Sequence, residues 1–303
     1  MPTVPEAVAR SRVAVIGLGV MGMPIATRLL TAFPVTGYDH TDKKRAAAVD
    51  AGITVTETPA AAARDAGIVV IAVRTLAQAE ECLFGANGAV STLSPGTAVM
   101  LMSTIGSEGA RLLGGRLAAL ELEFVDAPMS GSAERAAAGD LLVLVGASES
   151  ALERARPALE LLARKLVVVG PHPGDGQAMK TVNQLLCGVH IAAAAEALVL
   201  AAALGLDLTA TLDALQAGAA DSFMLRTRGP RIIDALKGNE TAFASRLDLF
   251  VKDMAVVVSE ADRADLHLAV AQAAGRLFQE AERAGLGATD DSAVSLVLSS
   301  SSR

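Results

Sequence analysis

Lys180, Asn183 and Gln184 sit in the stretch "GDGQAMKTVNQLLCGVH", Gly174 to His190, just before the chain becomes almost wholly apolar. Their spacing of three and four residues puts them on one face of a helix. An amine near the mouth of a dry cleft can take a hydroxyl proton if burial and a neighbouring cation lower its pKa. The two amides beside it can hold a substrate hydroxyl or carboxylate. A lysine can also lay its stem along a helix and send its ammonium to water. The position just after a Gly-rich linker, at a change of domain character, favours chemistry.

A second chemical signal lies at the other end of the chain. "VAVIGLGVMG" runs a strand into Gly17-x-Gly19-x-x-Gly22. Gly17 allows the tight turn, Gly19 removes a side chain that would block a pyrophosphate, and Gly22 lets the next helix pack close. The N-terminus of that helix offers N–H groups and partial positive charge to the anion. Asp39 follows Gly17 by 22 residues at the end of the second strand candidate. A carboxylate there suits the adenosine ribose hydroxyls of NAD and repels the 2′-phosphate of NADP. His40, Thr41, Lys43 and Lys44 come next, and the acid is expected to outweigh them. "SGS", Ser130 to Ser132, follows a strand candidate and can form a small anion cradle for a carboxylate. An ordinary turn would read the same.

These residues need elements to place them. Strands are expected at 12–17, 35–39, 67–73, 97–103, 122–127, 141–146 and 165–170. Helical runs lie between them, at 22–31, 43–51, 59–65, 77–83, 107–120 and 149–165. Continuous apolar strands alternating with helices imply a parallel sheet covered on both faces. After "GPHPGDG" the pattern becomes helical, with candidates at 176–205, 208–217, 246–264, 266–284 and 291–298. The fold class is therefore α/β: a Rossmann-type doubly wound sheet over residues 1–172, then an all-helical domain over 173–303. The helical domain begins with the long alanine-rich helix. That helix is either buried all round or shared between two copies in a homodimer or homotetramer.

The 303 residues are 52 % apolar and 3 % aromatic, with a formal net charge of -7 and no basic block. Nucleic acid is excluded as a partner, since phosphate neutralisation needs clustered Lys and Arg. Two cysteines and four scattered histidines build neither a metal site nor a disulfide framework. The expected setting is cytoplasmic, because "MPTVPEAVARSR" lacks an apolar signal core. Residues 185–206 are apolar enough for a membrane span, but His190 and Glu196 inside them favour a buried helix and no membrane. A serine-rich tail, 299–303, closes the chain.

The chain resembles the β-hydroxyacid dehydrogenase family, also called the 3-hydroxyisobutyrate dehydrogenase family, over nearly its whole length. "VIGLGVMGMP" is similar to its cofactor motif, "FVDAPMSGS" to its substrate motif, "GDGQAMKTVNQ" to its catalytic motif and "LFVKDM" to its C-terminal motif. Within the family, "VNQLLCGVHIAAAAEAL", "LDLFVKDMAVV" and "DDSAV" are most similar to the L-threonate dehydrogenase branch. The resemblance implies NAD-dependent oxidation of a small hydroxy acid, with the cleft between the two domains. Lys180 would be the general base, and Ser130, Gly131, Ser132, Asn183 and Gln184 would bind substrate. Gly17, Gly19, Val20, Met21, Gly22, Asp39, Val73, Arg74, Gln78, Thr104 and Lys252 would hold the cofactor. Asp253 would cap or pair within the helical domain, and Phe223 and Met224 would wall the pocket or pack in the core.

Three positions depart from the family pattern: Arg74 stands where proline is usual, Ser132 replaces a glycine, and Gln184 an asparagine. Rival readings are an imine reductase or a semialdehyde reductase on the same scaffold, or a non-catalytic dinucleotide-binding regulator. The retained Lys180 speaks against the first and third, and Asp39 against the second.

Overall fold

The computed structural model describes residues 12–300. The N-terminal stretch before Arg12 and residues 301–303 of the serine-rich tail lie outside them. The chain divides into two compact units, with the boundary between Lys180 and Thr181.

The first unit is built on one sheet. Strands β1 (Arg12–Ile16), β2 (Val35–Tyr38), β3 (Thr54–Val55), β4 (Ala66–Ile71), β5 (Ala98–Leu101) and β6 (Glu123–Asp126) pair in parallel in the order β3-β2-β1-β4-β5-β6. Helices α1 (Gly22–Leu30), α2 (Asp42–Asp50), α3 (Pro59–Ala63), α4 (Leu76–Phe84) and α5 (Ser107–Ala118) connect them. The crossover helices cover both faces, as a twisted parallel sheet requires. One buried cluster joins Val13, Val15, Ile25 and Leu29; the other joins Ala14, Ile16, Val69, Leu113 and Leu117.

The sheet is not parallel throughout. Beyond β6 the chain forms β7 (Met129–Ser130), α6 (Ala133–Ala138) and β8 (Leu141–Gly146), and β8 runs antiparallel to both β6 and β7. The link from β6 to β8 is taken up by β7 and a six-residue helix, ended by Gly139 in the left-handed region at φ 71°, so it holds no helix long enough to cross the sheet face. The apolar run "LLVLVG" reads the same in either direction, which is why the sequence suggested a parallel strand. Helix α7 (Glu149–Leu162) and β9 (Ala163–Gly170), parallel to β8, complete the sheet.

Helix α8 (Asp175–Ala203) leaves the sheet and runs on into the second unit, so its opening turn belongs with the first unit. The second unit adds α9 (Leu208–Gln216), α10 (Phe223–Leu236), α11 (Leu247–Arg263), α12 (Ala269–Ala281) and α13 (Ser295–Ser300). Asp207 and Ser222 cap α9 and α10 by accepting from Ala210 N and Leu225 N. Helix α10 was not expected, because Gly229 and Pro230 signal a break. The glycine is there for packing: a Cβ on it would stand 2.5 Å from Leu212 Cδ1 of α9. Ile191, Ala195, Leu198, Phe250, Met254 and Phe278 form the core of this unit.

Asp290 and Asp291 are buried beside that core and are met by Arg231 and Arg228, at 3.1 and 2.8 Å. Breaking a buried pair strands a charge and typically costs several kcal/mol. Arg228→Met leaves Asp291 the longer contact with Arg231, 3.4 Å, and is expected to lower the stability of this unit by about 2 kcal/mol. The urea midpoint followed by circular dichroism checks this, and an unchanged midpoint would show the pair to be dispensable.

Candidate active site

The C-terminal edge of the parallel strands gathers most of the expected site residues of the first unit. Gly17 to Gly22 follow β1, Asp39 follows β2, Val73 and Arg74 follow β4, and Thr104 follows β5. Crevices at these strand ends are where open α/β sheets bind ligands.

The three loop glycines have different causes. Gly17 has φ 95°, and a Cβ on it would stand 2.5 Å from Ala72 O. A Cβ on Gly22 would stand 1.8 Å from Gly17 O. Both are demanded by the protein itself. A Cβ on Gly19 would meet no protein atom within 4 Å, whereas a pyrophosphate lying against the backbone would exclude it. Val20 beside it is 58 % exposed, which also leaves the loop open to a ligand.

Asp39 is buried and anchored. Its Oδ2 accepts from Leu18 N at 3.0 Å, and its Oδ1 from Thr41 N at 2.9 Å. Burial alone would raise its pKa, but those N–H groups and the Lys44 ammonium, 3.3 Å away, hold it below the usual carboxylate range. His40 Nδ1 lies 3.4 Å from the same carboxylate. Val73 N donates to Ser103 Oγ at 3.0 Å. Gln78 Oε1 accepts from Arg74 N at 2.9 Å, while Gln78 N donates to Thr75 Oγ1. The Gln78 side chain thus holds the turn that presents Arg74.

Ser130 ends β7, and Gly131 has φ 152°. A Cβ on Gly131 would stand 2.7 Å from Leu141 Cδ2. Ser132 Oγ accepts from Arg135 N, capping α6. The side chain that replaces the family's glycine therefore has a structural task.

Two residues that sequence reasoning passed over form the centre of this unit's polar network. Asp126, at the end of β6, is fully buried. Its Oδ2 accepts from Gly174 N at 3.0 Å and Gln177 N at 2.9 Å, and its Oδ1 from Gln177 Nε2 at 2.9 Å. Gln177, also fully buried, donates through the same Nε2 to Ser103 O and accepts at Oε1 from Ile105 N and Gly106 N. Burial pushes the Asp126 carboxyl up to about 6 against the pull of these donors. The available signal was an acid closing an apolar strand and a glutamine one turn before the lysine. Lys180 itself is 6 % exposed.

In the second unit, Asn183 Nδ2 donates to Gln184 Oε1 at 3.3 Å and lies 3.0 Å from Cys187 Sγ. Gln184 Nε2 donates to Asp253 Oδ2 at 2.6 Å, and Lys252 Nζ pairs with Asp253 Oδ1 at 2.8 Å. Asp253 thus joins α8 to α11, and the Gln184 amide nitrogen has a protein partner. Phe223 is 58 % exposed at the start of α10, and Met224 is partly buried against the core. Among the described residues no cluster of His, Cys, Asp or Glu could hold a metal.

The strand order and the glycine turn define a dinucleotide-binding oxidoreductase of the Rossmann class. Residues 12–170 match the family model described as the NAD binding domain of 6-phosphogluconate dehydrogenase. Residues 174–298 match the one described as NAD-binding of NADP-dependent 3-hydroxyisobutyrate dehydrogenase. The chain is 39 % identical to an L-threonate dehydrogenase of Escherichia coli over 95 % of its own length and 94 % of the relative's. It is equally similar to one from Cupriavidus necator, with 93 % and 94 % covered. A crystal structure of 3-hydroxyisobutyrate dehydrogenase from Salmonella typhimurium superposes with TM-score 0.86 at 35 % identity, covering 95 % of this chain and 99 % of that one. The chain belongs to the 3-hydroxyisobutyrate dehydrogenase family and is an NAD(P)-dependent oxidoreductase acting on CH–OH groups.

The glycine contacts separate folding from binding. Gly19→Ala is expected to melt within about 2 °C of the parent, since about 1 kcal/mol would shift it by 2–4 °C, and to weaken NADH binding at least ~10-fold, about 1.4 kcal/mol. Gly22→Ala is expected to lose soluble, cooperatively folding protein. Fluorescence titration with NADH and thermal melts check both. An unaltered NADH affinity in Gly19→Ala would remove the loop from the site.

Proposed function

We propose that the enzyme oxidises a small hydroxy acid with NAD, and that the substrate is a four-carbon sugar acid such as L-threonate. The observation that carries this reading is the buried Lys180. It lies one helical turn past a hydrogen-bonded junction at the sheet's C-terminal edge, with Asn183 and Gln184 following on the same helix. The likeness to L-threonate dehydrogenases over 95 % of the chain supports the substrate class.

Gly17, Gly19 and Gly22 would cradle the pyrophosphate, with Val20, Met21, Val73, Arg74, Gln78 and Thr104 along the dinucleotide and Lys252 toward its nicotinamide end. When bound, the nicotinamide supplies the hydride acceptor. Ser130, Gly131 and Ser132 hold the substrate carboxylate. Asn183 positions a hydroxyl, and Gln184 acts partly through Asp253. The substrate's C–H leaves as hydride while its O–H proton passes to Lys180 Nζ, so the alcohol becomes a carbonyl. Asp39 supports NAD because a buried carboxylate opposes a 2′-phosphate. The cations beside it reduce that opposition. The unpaired Cys82 and Cys187 accord with a cytoplasmic setting.

A homodimer or homotetramer through α8 is part of the same proposal. Met179, Val182, Leu186 and Leu200 line its outer side and are 41–59 % exposed in a single chain. Leu186→Glu is expected to reduce the mass measured by light scattering to one chain. A parent protein that is already monomeric would sink the proposal.

Lys180→Ala is expected to lower kcat for L-threonate with NAD by 10²–10⁴-fold, the usual worth of a positioned acid–base group. Near-parental turnover would make the base assignment wrong. A hydroxy-acid panel read by NADH absorbance, in which L-threonate gives no rate and another acid does, would overturn the substrate.

A further inference from the structure

Asp126 and Gln177 are each fully buried, and between them they tie three segments together. The first is the opening turn of α8, held through Gly174 N and Gln177 N. The second is the turn after β5, held through Ser103 O, Ile105 N and Gly106 N, which bracket Thr104. The third is the end of β6, which leads by Ala127-Pro128-Met129 to Ser130.

The glycines around them leave the helix no room to slide. A Cβ on Gly176 would stand 2.7 Å from Leu144 O and 2.8 Å from Asp126 O. One on Gly174 would stand 2.8 Å from Ser107 O, and Gly174 also needs φ 97°. Lys180 follows Gln177 by three residues, a rise of about 4.5 Å along the helix. The height of the lysine above the sheet edge is therefore set where Gln177 is gripped.

A network of this kind could serve stability alone. Two features point further. Gln177 spends its amide on the loop that carries Thr104 as well as on the acid, so a helix end and a strand-end loop are held in one register. The register it fixes is also the distance along which a proton acceptor must be placed, and a misplacement of about 1 Å can cost ~10² in rate.

We propose that Asp126 and Gln177 are positioning residues for the oxidation, fixing Lys180 relative to the Thr104 turn so that proton removal is aligned. This rests on the assignment of Lys180 as base. The hydrogen bonds of the pair described above all go to the protein's own groups. Its effect falls more on the transfer step than on dinucleotide affinity, because Thr104 is one of many residues along the dinucleotide.

The test is a double-mutant cycle in the full-length enzyme. Gln177→Met keeps the side-chain length and removes the side-chain amide's hydrogen bonds, while its backbone N–H still donates to Asp126. It is made in the parent and in Lys180→Ala, and Asp126→Asn is made in both as a nearly isosteric second probe. Single-turnover NADH formation from L-threonate at saturating NAD is expected to fall at least ~30-fold on Gln177→Met in the parent and less than ~3-fold in Lys180→Ala, in line with coupling through one group.

The NADH dissociation constant, from fluorescence, is expected to change less than ~3-fold, below 0.7 kcal/mol. Competitive acetylation read by mass spectrometry is expected to speed up at Lys180 and not at the exposed Lys165. Equal losses in both backgrounds, or a loss that appears in NADH affinity, would show a purely structural pair. If Gln177→Met yields no soluble protein, Asp126→Asn carries the same comparison. Near-parental turnover by Lys180→Ala alone overturns the base assignment, and the pair's action through it. A slow Lys180→Ala with an undiminished Gln177 effect overturns only the pair.

Discussion

A carboxylate removed from water must be answered by N–H groups, or it stays protonated. Asp126 meets that requirement with donors drawn from one place, the first turn of α8 and the Gln177 side chain within it. The most buried polar group of the sheet thereby dictates where the long helix starts. The glycines of "GDGQ" follow from it, because a helix end pressed onto strand backbones leaves no space for Cβ atoms. The position of Lys180 follows too, as does the spacing of the polar face after it. A motif that reads as a flexible linker is in this structure a tightly packed joint.

Much of this was legible in the sequence. Most of the expected strand and helix positions of the first unit agree within a residue or two, because apolar β-branched runs and capped amphipathic runs differ in period, but α7 ends three residues earlier than expected and the short β3, β7 and α6 were not expected at all. The glycine turn and Asp39 were legible because their chemistry is local. Strand direction was not: a strand buried on both faces has no pattern that reports its partner's orientation. Helix α10 was hidden by Gly229-Pro230, since a close helix contact and a chain break use the same residue types. The shared helix of Lys180, Asn183 and Gln184 could be read from spacing alone. The partners of Gln184 and Gln177 could not, because Asp253 and Asp126 lie far off in sequence and meet them only through the fold.

The dinucleotide end shows how one residue type can answer to different constraints. Gly17 and Gly22 satisfy the protein's own turn and packing, and would be required with no ligand at all. A Cβ on Gly19 would meet no protein atom within 4 Å. Likewise Asp39 is partly an internal element, accepting from Leu18 N and so tying the second strand's end to the glycine loop. The hydrogen bond that Asp39 accepts from Leu18 N thus also stiffens the glycine loop. The Lys44 ammonium lowers the net charge that a 2′-phosphate would meet there. Cofactor choice therefore depends on the balance of the whole cluster and not on the acid alone.

Helix α8 is long and apolar enough, by length and composition, to cross a membrane, with mean hydropathy 2.0 over its most apolar window. Its surface pattern is the reverse of a lipid-facing helix with a plain core behind it. The buried side carries Gln177, Lys180, Thr181 and Gln184 before turning apolar at Ile191, Ala195 and Leu198. In hydrocarbon those polar groups would need partners from other spans. Here Gln177 and Gln184 find theirs in Asp126 and Asp253, carboxylates of the same chain. The exposed side is mostly apolar, interrupted by Glu196. Alanine lets both sides coexist: it keeps the helix stable without adding bulk on the inner face, where a Cβ even at Gly188 would stand 2.2 Å from Met254 Sδ. The hydropathy of the segment thus records two demands on one helix, a close-packed polar seam within and an apolar stripe without.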